Sequence, residues 1–171
     1  MNYLIKLCEY NVWANGEIVG FMRKAGPQAY NLEQQSSFPT LLKTLYHIWD
    51  AQHIWLLRLD GKSISDWPSK SFAGTAEQGF QGFMENSKAL KNFVLNLEEP
   101  DFKEEITYTN TKGEAFVSSL GDMVLHCMNH STYHRGQMIT MLRNAGFTDV
   151  SSTDYIHFMR TQFKQNTLSS T

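Results

Sequence analysis

Apolar residues recur along the first stretch of the chain at alternating steps of three and four. Leu4, Leu7, Ala14, Ile18, Phe21 and Ala25 share one stripe, and Asn11 is the polar position within it. This spacing predicts an amphipathic helix from about Asn2 to Ala25, closed by Gly26-Pro27. A second helix follows QQSSFP and runs to about Leu59, where Asp60-Gly61 stops it. After the loop GKSISDWPSKSFAG, a third helix opens at Thr75 and runs to about Leu97, with Gln78 placed to complete a capping box. Then the period changes. In EEITYTNTKGEAFVSS, Ile106 and Tyr108 alternate with Thr107 and Thr109, and NTKG fits a turn, so a short hairpin or irregular excursion is expected. A fourth helix opens near Ser118 or Ser119 and ends near Ala145, with Gly146 just past its end. A short helix from about Ser152 to Phe163 follows, and the polar KQNTLSST from Lys164 reads as a flexible tail.

Four long helices with this much apolar surface predict an all-α four-helix bundle. We expect one domain over 1–163 and a tail over 164–171. The loops after helices two and three, about 14 residues each, are longer than a simple up-down-up-down bundle needs and leave room for a crossover.

Composition narrows the function classes. The 171 residues are 42% hydrophobic, 13% aromatic and 19% charged, an ordinary globular balance. A formal net charge of -2 gives no reason to expect nucleic acid or an anionic membrane as a partner. No apolar run reaches the ~18 residues of a membrane span. Two cysteines, Cys8 and Cys127, make no disulfide framework and no CxxC pair. With no signal-peptide pattern in MNYLIKLCEYNVWANGEIV, the expectation is a cytoplasmic protein.

The chemistry concentrates in HCMNHSTYHRGQM. Three of six histidines, His126, His130 and His134, stand four apart. On a helix they lie within an arc of about 80°, with Met123 and Met141 inside the same arc, so they point toward the core. Imidazoles at i and i+4 can ligate one ion, but two ligands do not make a site, and a third must come from another helix. Helix two offers His47 and His53. Its apolar stripe centres on Leu45, Trp49, Gln52 and Leu56, which puts His53 at the edge and His47 on the far side, near Lys43, Asp50 and Arg58. Periodicity alone would select His53, or neither.

Several pieces together resemble the DinB/YfiT-like family: YNVWAN in helix one, LYHIWDAQHIW in helix two, NHSTYHRGQMITMLRNAG in helix four, and the late TDY. The resemblance implies a four-helix bundle of up-down-down-up arrangement. It also implies a metal site of one histidine from helix two and two from helix four, here His47, His130 and His134, which overrules the periodicity choice of His53. His53 and His126 become neighbouring histidines. Three neutral imidazoles would suit Zn, Ni, Fe or Mn and leave coordination positions open. The family includes thiol-dependent transferases and isomerases, and a homodimer is a reasonable expectation from it.

The remaining polar residues of these helices have smaller roles. Gln137, on the histidine arc, can hydrogen-bond a ligand or a metal-bound water, or pack between helices. Asp50 can orient an imidazole or act as a base, or be a solvated charge. Asn11 is expected to bridge helices. Gly136, costly inside a helix by about 1 kcal/mol, points to close approach of a helix or substrate. Arg135 faces away from the histidines by about 140° and is assigned to a salt bridge or interface. Cys127 is assigned to the core.

Three functions follow. One is a metal-dependent enzyme that activates water for hydrolysis or a low-molecular-weight thiol for transfer. Another is a non-enzymatic, stress-related or metal-binding dimeric bundle, kept open because no nucleophile, general base or HExxH glutamate is visible. The last is a bundle whose histidines are satisfied core residues and bind no metal.

Overall fold

The computed structural model describes residues 3–62, 67–110 and 112–168, with side chains as far as 162. Helix α1 spans Tyr3–Tyr30, α2 Leu41–Leu59, α3 Pro68–Ser71, α4 Ala76–Leu95, α5 Leu120–Asn144 and α6 Tyr155–Leu168. Strands β1 (Glu105–Thr109) and β2 (Ala115–Ser119) form an antiparallel hairpin, with Glu105 opposite Ser119 and Thr109 opposite Ala115.

Local chemistry sets the boundaries. Gly26 breaks α1 with φ 82 and ψ 173, and Pro27 starts one further turn. Thr40 caps α2 by accepting from the Lys43 amide. Thr75 and Gln78 form the anticipated capping box on α4. Ser119 caps α5, and Gly146 takes the positive φ that ends it. Ile106 and Tyr108 face inward on β1, as their alternation predicts. Two boundaries differ from the sequence reading. Helix α6 starts at Tyr155 rather than Ser152, and its backbone continues to Leu168, past the expected start of the polar tail. The expected loop after α2 contains α3, and its residues 63–66 lie outside the described residues, as does Thr111 of the expected turn.

Helix directions follow from which residues meet. Along α1 and α4, Asn15 donates to Ser87 while Arg23 pairs with Glu77, so the two run antiparallel. Ile18 and Met22 share a cluster with Met138 and Leu142, whereas Cys8 packs with Met123 and Cys127, so α1 and α5 run parallel. Leu41 sits with Leu142 and Leu59 with Leu120, which makes α2 antiparallel to α5. Tyr46 lies over Gly79 and Trp49 over Gly82, so α2 and α4 run parallel. A Cβ at either glycine would come within 2.5–2.6 Å of those rings, and glycine is what lets the aromatic side chains of α2 approach α4. The result is an up-down-down-up four-helix bundle, with the α2–α4 connection as the crossover. Among the described residues no helix is long and apolar enough to cross a membrane.

The core has two main apolar clusters, one around Ile18, Met22, Leu45, Ile48, Phe80 and Met138, the other around Cys8, Leu90, Val94, Met123 and Cys127. Between helices α1 and α5 runs a polar seam. Arg135, 2% exposed, donates to Asn11 Oδ1 at 2.5 Å, Asn15 Oδ1 at 2.9 Å and Thr132 Oγ1 at 2.8 Å. Its guanidinium also lies 5.2 Å from the Tyr10 ring centroid. Asn11 passes the connection to Gln52 of α2 at 3.1 Å. Asn11 is therefore the expected helix bridge. Arg135 is an interface residue held by amides, a hydroxyl and a ring rather than by a carboxylate.

Candidate metal centre

The antiparallel pairing of α2 and α5 brings His47 across the bundle to the α5 histidines. His47 Nε2 lies 3.1 Å from His130 Nε2. The ring centroids of His47 and His134 are 4.6 Å apart, and those of His130 and His134 4.5 Å. One nitrogen from each of the three histidines falls within 4.8 Å of the others. A divalent ion with metal–nitrogen bonds of about 2.0–2.1 Å holds its donors roughly 3.0–3.4 Å apart at tetrahedral or octahedral angles, so the closest pair already has ligand spacing.

Two of the donors are held in the right protonation state. Burial pushes the His47 imidazolium down to about 4, with the charge of His134 adding to the effect. His130 is lowered to about 4 by burial first, then by His134, His47 and His126. Both rings are neutral at pH 7 and offer a lone pair without releasing a proton.

Gln137 fixes the third ring. Its side-chain amide donates from Nε2 to Ser37 Oγ at 3.0 Å and to Tyr133 Oη at 3.1 Å. That orientation leaves Gln137 Oε1 to accept from His134 Nδ1–H at 2.8 Å. With its proton on Nδ1, His134 presents a bare Nε2, the tautomer a ligand needs. Phe38 lies nearly flat on His47, centroids 4.1 Å apart at 27°, and meets His134 edge-on at 5.9 Å. His130 has no such support: its Nδ1 is buried without a hydrogen-bond partner, and neighbouring rings set its orientation. The donor set therefore fits a borderline divalent transition metal: three converging imidazoles, His47 and His130 held neutral by burial and His134 oriented by Gln137.

Other expectations resolve less evenly. His126 stacks 6.1 Å from His130 and leans on Trp55 at the exposed surface, outside the converging set. His53 is half-buried and belongs to no such group among the described residues. Asp50 neither orients an imidazole nor floats in solvent. It is 7% exposed and accepts from the Ser69 amide at 2.9 Å and the Ser69 hydroxyl at 2.5 Å, tying α3 to α2. Gly136 shows no close approach, since a Cβ there would meet nothing within 4 Å. Cys127 is fully buried, and its thiol is pushed far up by burial. Sequence reasoning missed Ser37, Phe38 and Tyr133. For Ser37 and Phe38 the only local signal was QQSSFP, which reads as a helix boundary and carries no mark of a site; Tyr133 stood inside the histidine segment, four residues before Gln137.

Comparison with known proteins agrees with this architecture. The DinB family profile matches residues 1–167. The protein DinB of Bacillus subtilis is 29% identical over 161 residues, covering 90% of this chain and 92% of that protein. A DinB-like protein from Bacillus cereus has the same fold with TM-score 0.65 and 18% identity, over 84% of this chain and 91% of that one. YfiT of Bacillus subtilis, described as a probable metal-dependent hydrolase with an unusual four-helix bundle topology, superposes with TM-score 0.64 and 12% identity, over 84% of this chain and 87% of its own.

Proposed function

The chain belongs to the DinB family, and from that premise we propose that His47, His130 and His134 bind a divalent transition metal ion and that the protein is a metal-dependent hydrolase. The observation that carries this reading is the convergence of three imidazole nitrogens within 4.8 Å, one of them held by Gln137 in its ligating tautomer. The description of YfiT as a probable metal-dependent hydrolase supports it at the level of the fold.

When bound, such an ion supplies Lewis acidity, polarising a substrate oxygen and bringing the pKa of water to roughly 7. The chain supplies the rest. Gln137 holds the His134 ring against rotation, and Phe38 covers one face of His47 and keeps water from it. The three-histidine set leaves open positions for water and substrate. It also contributes no negative charge, so the full charge of the ion would act on whatever binds there.

A second reading rests on a specific feature of the site. The nearest acid on α2, Asp50, is engaged by Ser69, so among the described residues the converging set has no carboxylate base beside it. A thiol needs no such base once a cation has ionised it, which favours thiol transfer as the alternative chemistry.

Both readings are tested by one screen. Metal-free and metal-reconstituted protein are assayed on small esters and amides, and on electrophiles with added low-molecular-weight thiols. We expect turnover only in the reconstituted protein and its loss in His130→Ala. Activity that survives His130→Ala contradicts the proposal.

A further inference from the structure

Beside the histidine cluster is an open groove of about 480 Å3, a size suited to a small molecule rather than a polymer. It shares two residues with the cluster, His47 and Phe38. Its walls are unequal in character. Phe38, Leu42 and Tyr46 supply apolar surface, and the charged residues that line it are Lys43 and Asp50.

Those two charges are not equally available. The Asp50 carboxylate is buried and accepts both the amide and the hydroxyl of Ser69. Lys43 is exposed, and among the described residues its ammonium makes no ion pair. Among the described residues, therefore, the positive charge that the groove presents is unpaired. Lys43 and His47 stand at i and i+4 on α2, on one face of the helix and about 6 Å apart along its axis.

We propose that this groove is the substrate pocket and that it takes a small anionic molecule with an apolar body. Its carboxylate or phosphate pairs with the Lys43 ammonium, its apolar part lies on Phe38, Leu42 and Tyr46, and its reacting group is presented one helical turn away at His47. The inference rests on the metal-centre reading for what happens at His47, but the binding half stands without it.

The test uses metal-free protein, so that no ion can hold the anion. Three probes are titrated by NMR or calorimetry: 3-phenylpropionate, phenyl phosphate and the neutral 3-phenylpropionamide. We expect one or both anions to bind and the amide to bind at least several-fold more weakly. In Lys43→Gln the anion affinity drops about tenfold, the size expected for loss of one charge-assisted contact, and in Lys43→Glu it drops further. Lys24→Gln, a surface lysine elsewhere, serves as the control and leaves the affinity unchanged. Loss with the carboxylate alone or the phosphate alone identifies the anion. Equal binding of anion and amide, or affinity unchanged in Lys43→Gln, overturns the proposal. Because this readout needs neither metal nor turnover, the pocket can fail while the hydrolase reading stands, and the reverse.

Discussion

A histidine that packs and a histidine that ligates differ in what their second nitrogen touches. His134 shows the difference, because its Nδ1 proton is committed to Gln137 and its Nε2 is left bare. Replacing Gln137 by Leu removes that commitment while keeping the volume. We expect metal affinity to fall about ten- to hundredfold, as it does when such outer partners are lost, with little change in melting temperature of the metal-free protein; competition with a chromogenic chelator measures the first and calorimetry the second. The depressed His47 and His130 values make a pH prediction for the same metal-free protein. The unfolded chain takes up protons on these rings near 6.5, whereas the folded protein does so only near 4. Their contribution to stability is therefore complete above pH 6.5 and lost as pH falls from 6.5 to about 4. A melting profile across that window, flattened in a His47→Gln/His130→Gln variant, is the check. At this scale the His130–His134 pair was legible because a four-residue step is a property of one helix. His47 was not, because α2 packs against two helices and carries core residues toward both. A single apolar stripe centred on Leu45 and Gln52 misses the flank that meets α5. The family resemblance, not the periodicity, placed it.

Between elements, polar side chains do what apolar packing cannot: they fix which face meets which. The buried Arg135 guanidinium joins α1 to α5, and Asn11 extends the contact to α2. Arg135→Met keeps the bulk and strands the Asn11 and Asn15 carbonyl oxygens. We expect a loss of about 2–4 kcal/mol in a denaturant melt, with metal content retained. Asp50 works across a longer gap in sequence. Its carboxylate accepts from Ser69 in the first turn of α3, so Asp50→Ala should cost about 1 kcal/mol, the value of a lost helix cap, again without loss of metal. Neither pairing could be read from local spacing. Asn11 betrayed itself as a polar residue in an apolar stripe, and that was enough to predict a bridge. The Asp50–Ser69 contact spans 19 residues, from the middle of α2 to α3, and leaves no periodic trace. By contrast, the caps at Thr75, Ser119 and Gly146 were legible, because capping is chemistry between neighbours in sequence.

Across the whole molecule, the order of the long helices followed from their 3.6 period, and the change of period marked where the hairpin lies without deciding it against an irregular excursion; the short α3 was read as loop. The up-down-down-up course did not follow from period. Long loops permit a crossover, but only the tertiary contacts of α2 with α4 and α5 define it, and the family resemblance supplied the expectation. That course matters for function. Because α2 runs antiparallel to α5 and beside it, a histidine in the second turn of α2 meets the α5 pair astride that helix's midpoint, where Phe38 and Ser37 from the preceding connection close over them. A different winding of the same helices would separate these ligands. The account therefore stands on the three histidines acting as one centre. Elemental analysis of purified, untagged protein beside a His130→Ala/His134→Ala variant, with folding of both verified by circular dichroism, tests that most directly. The account predicts close to one divalent transition metal ion per chain in the unaltered protein and none in the folded variant. Absence of bound metal in the unaltered protein, even after reconstitution with Zn, Ni, Mn and Fe salts, would contradict it and leave the imidazoles as core residues.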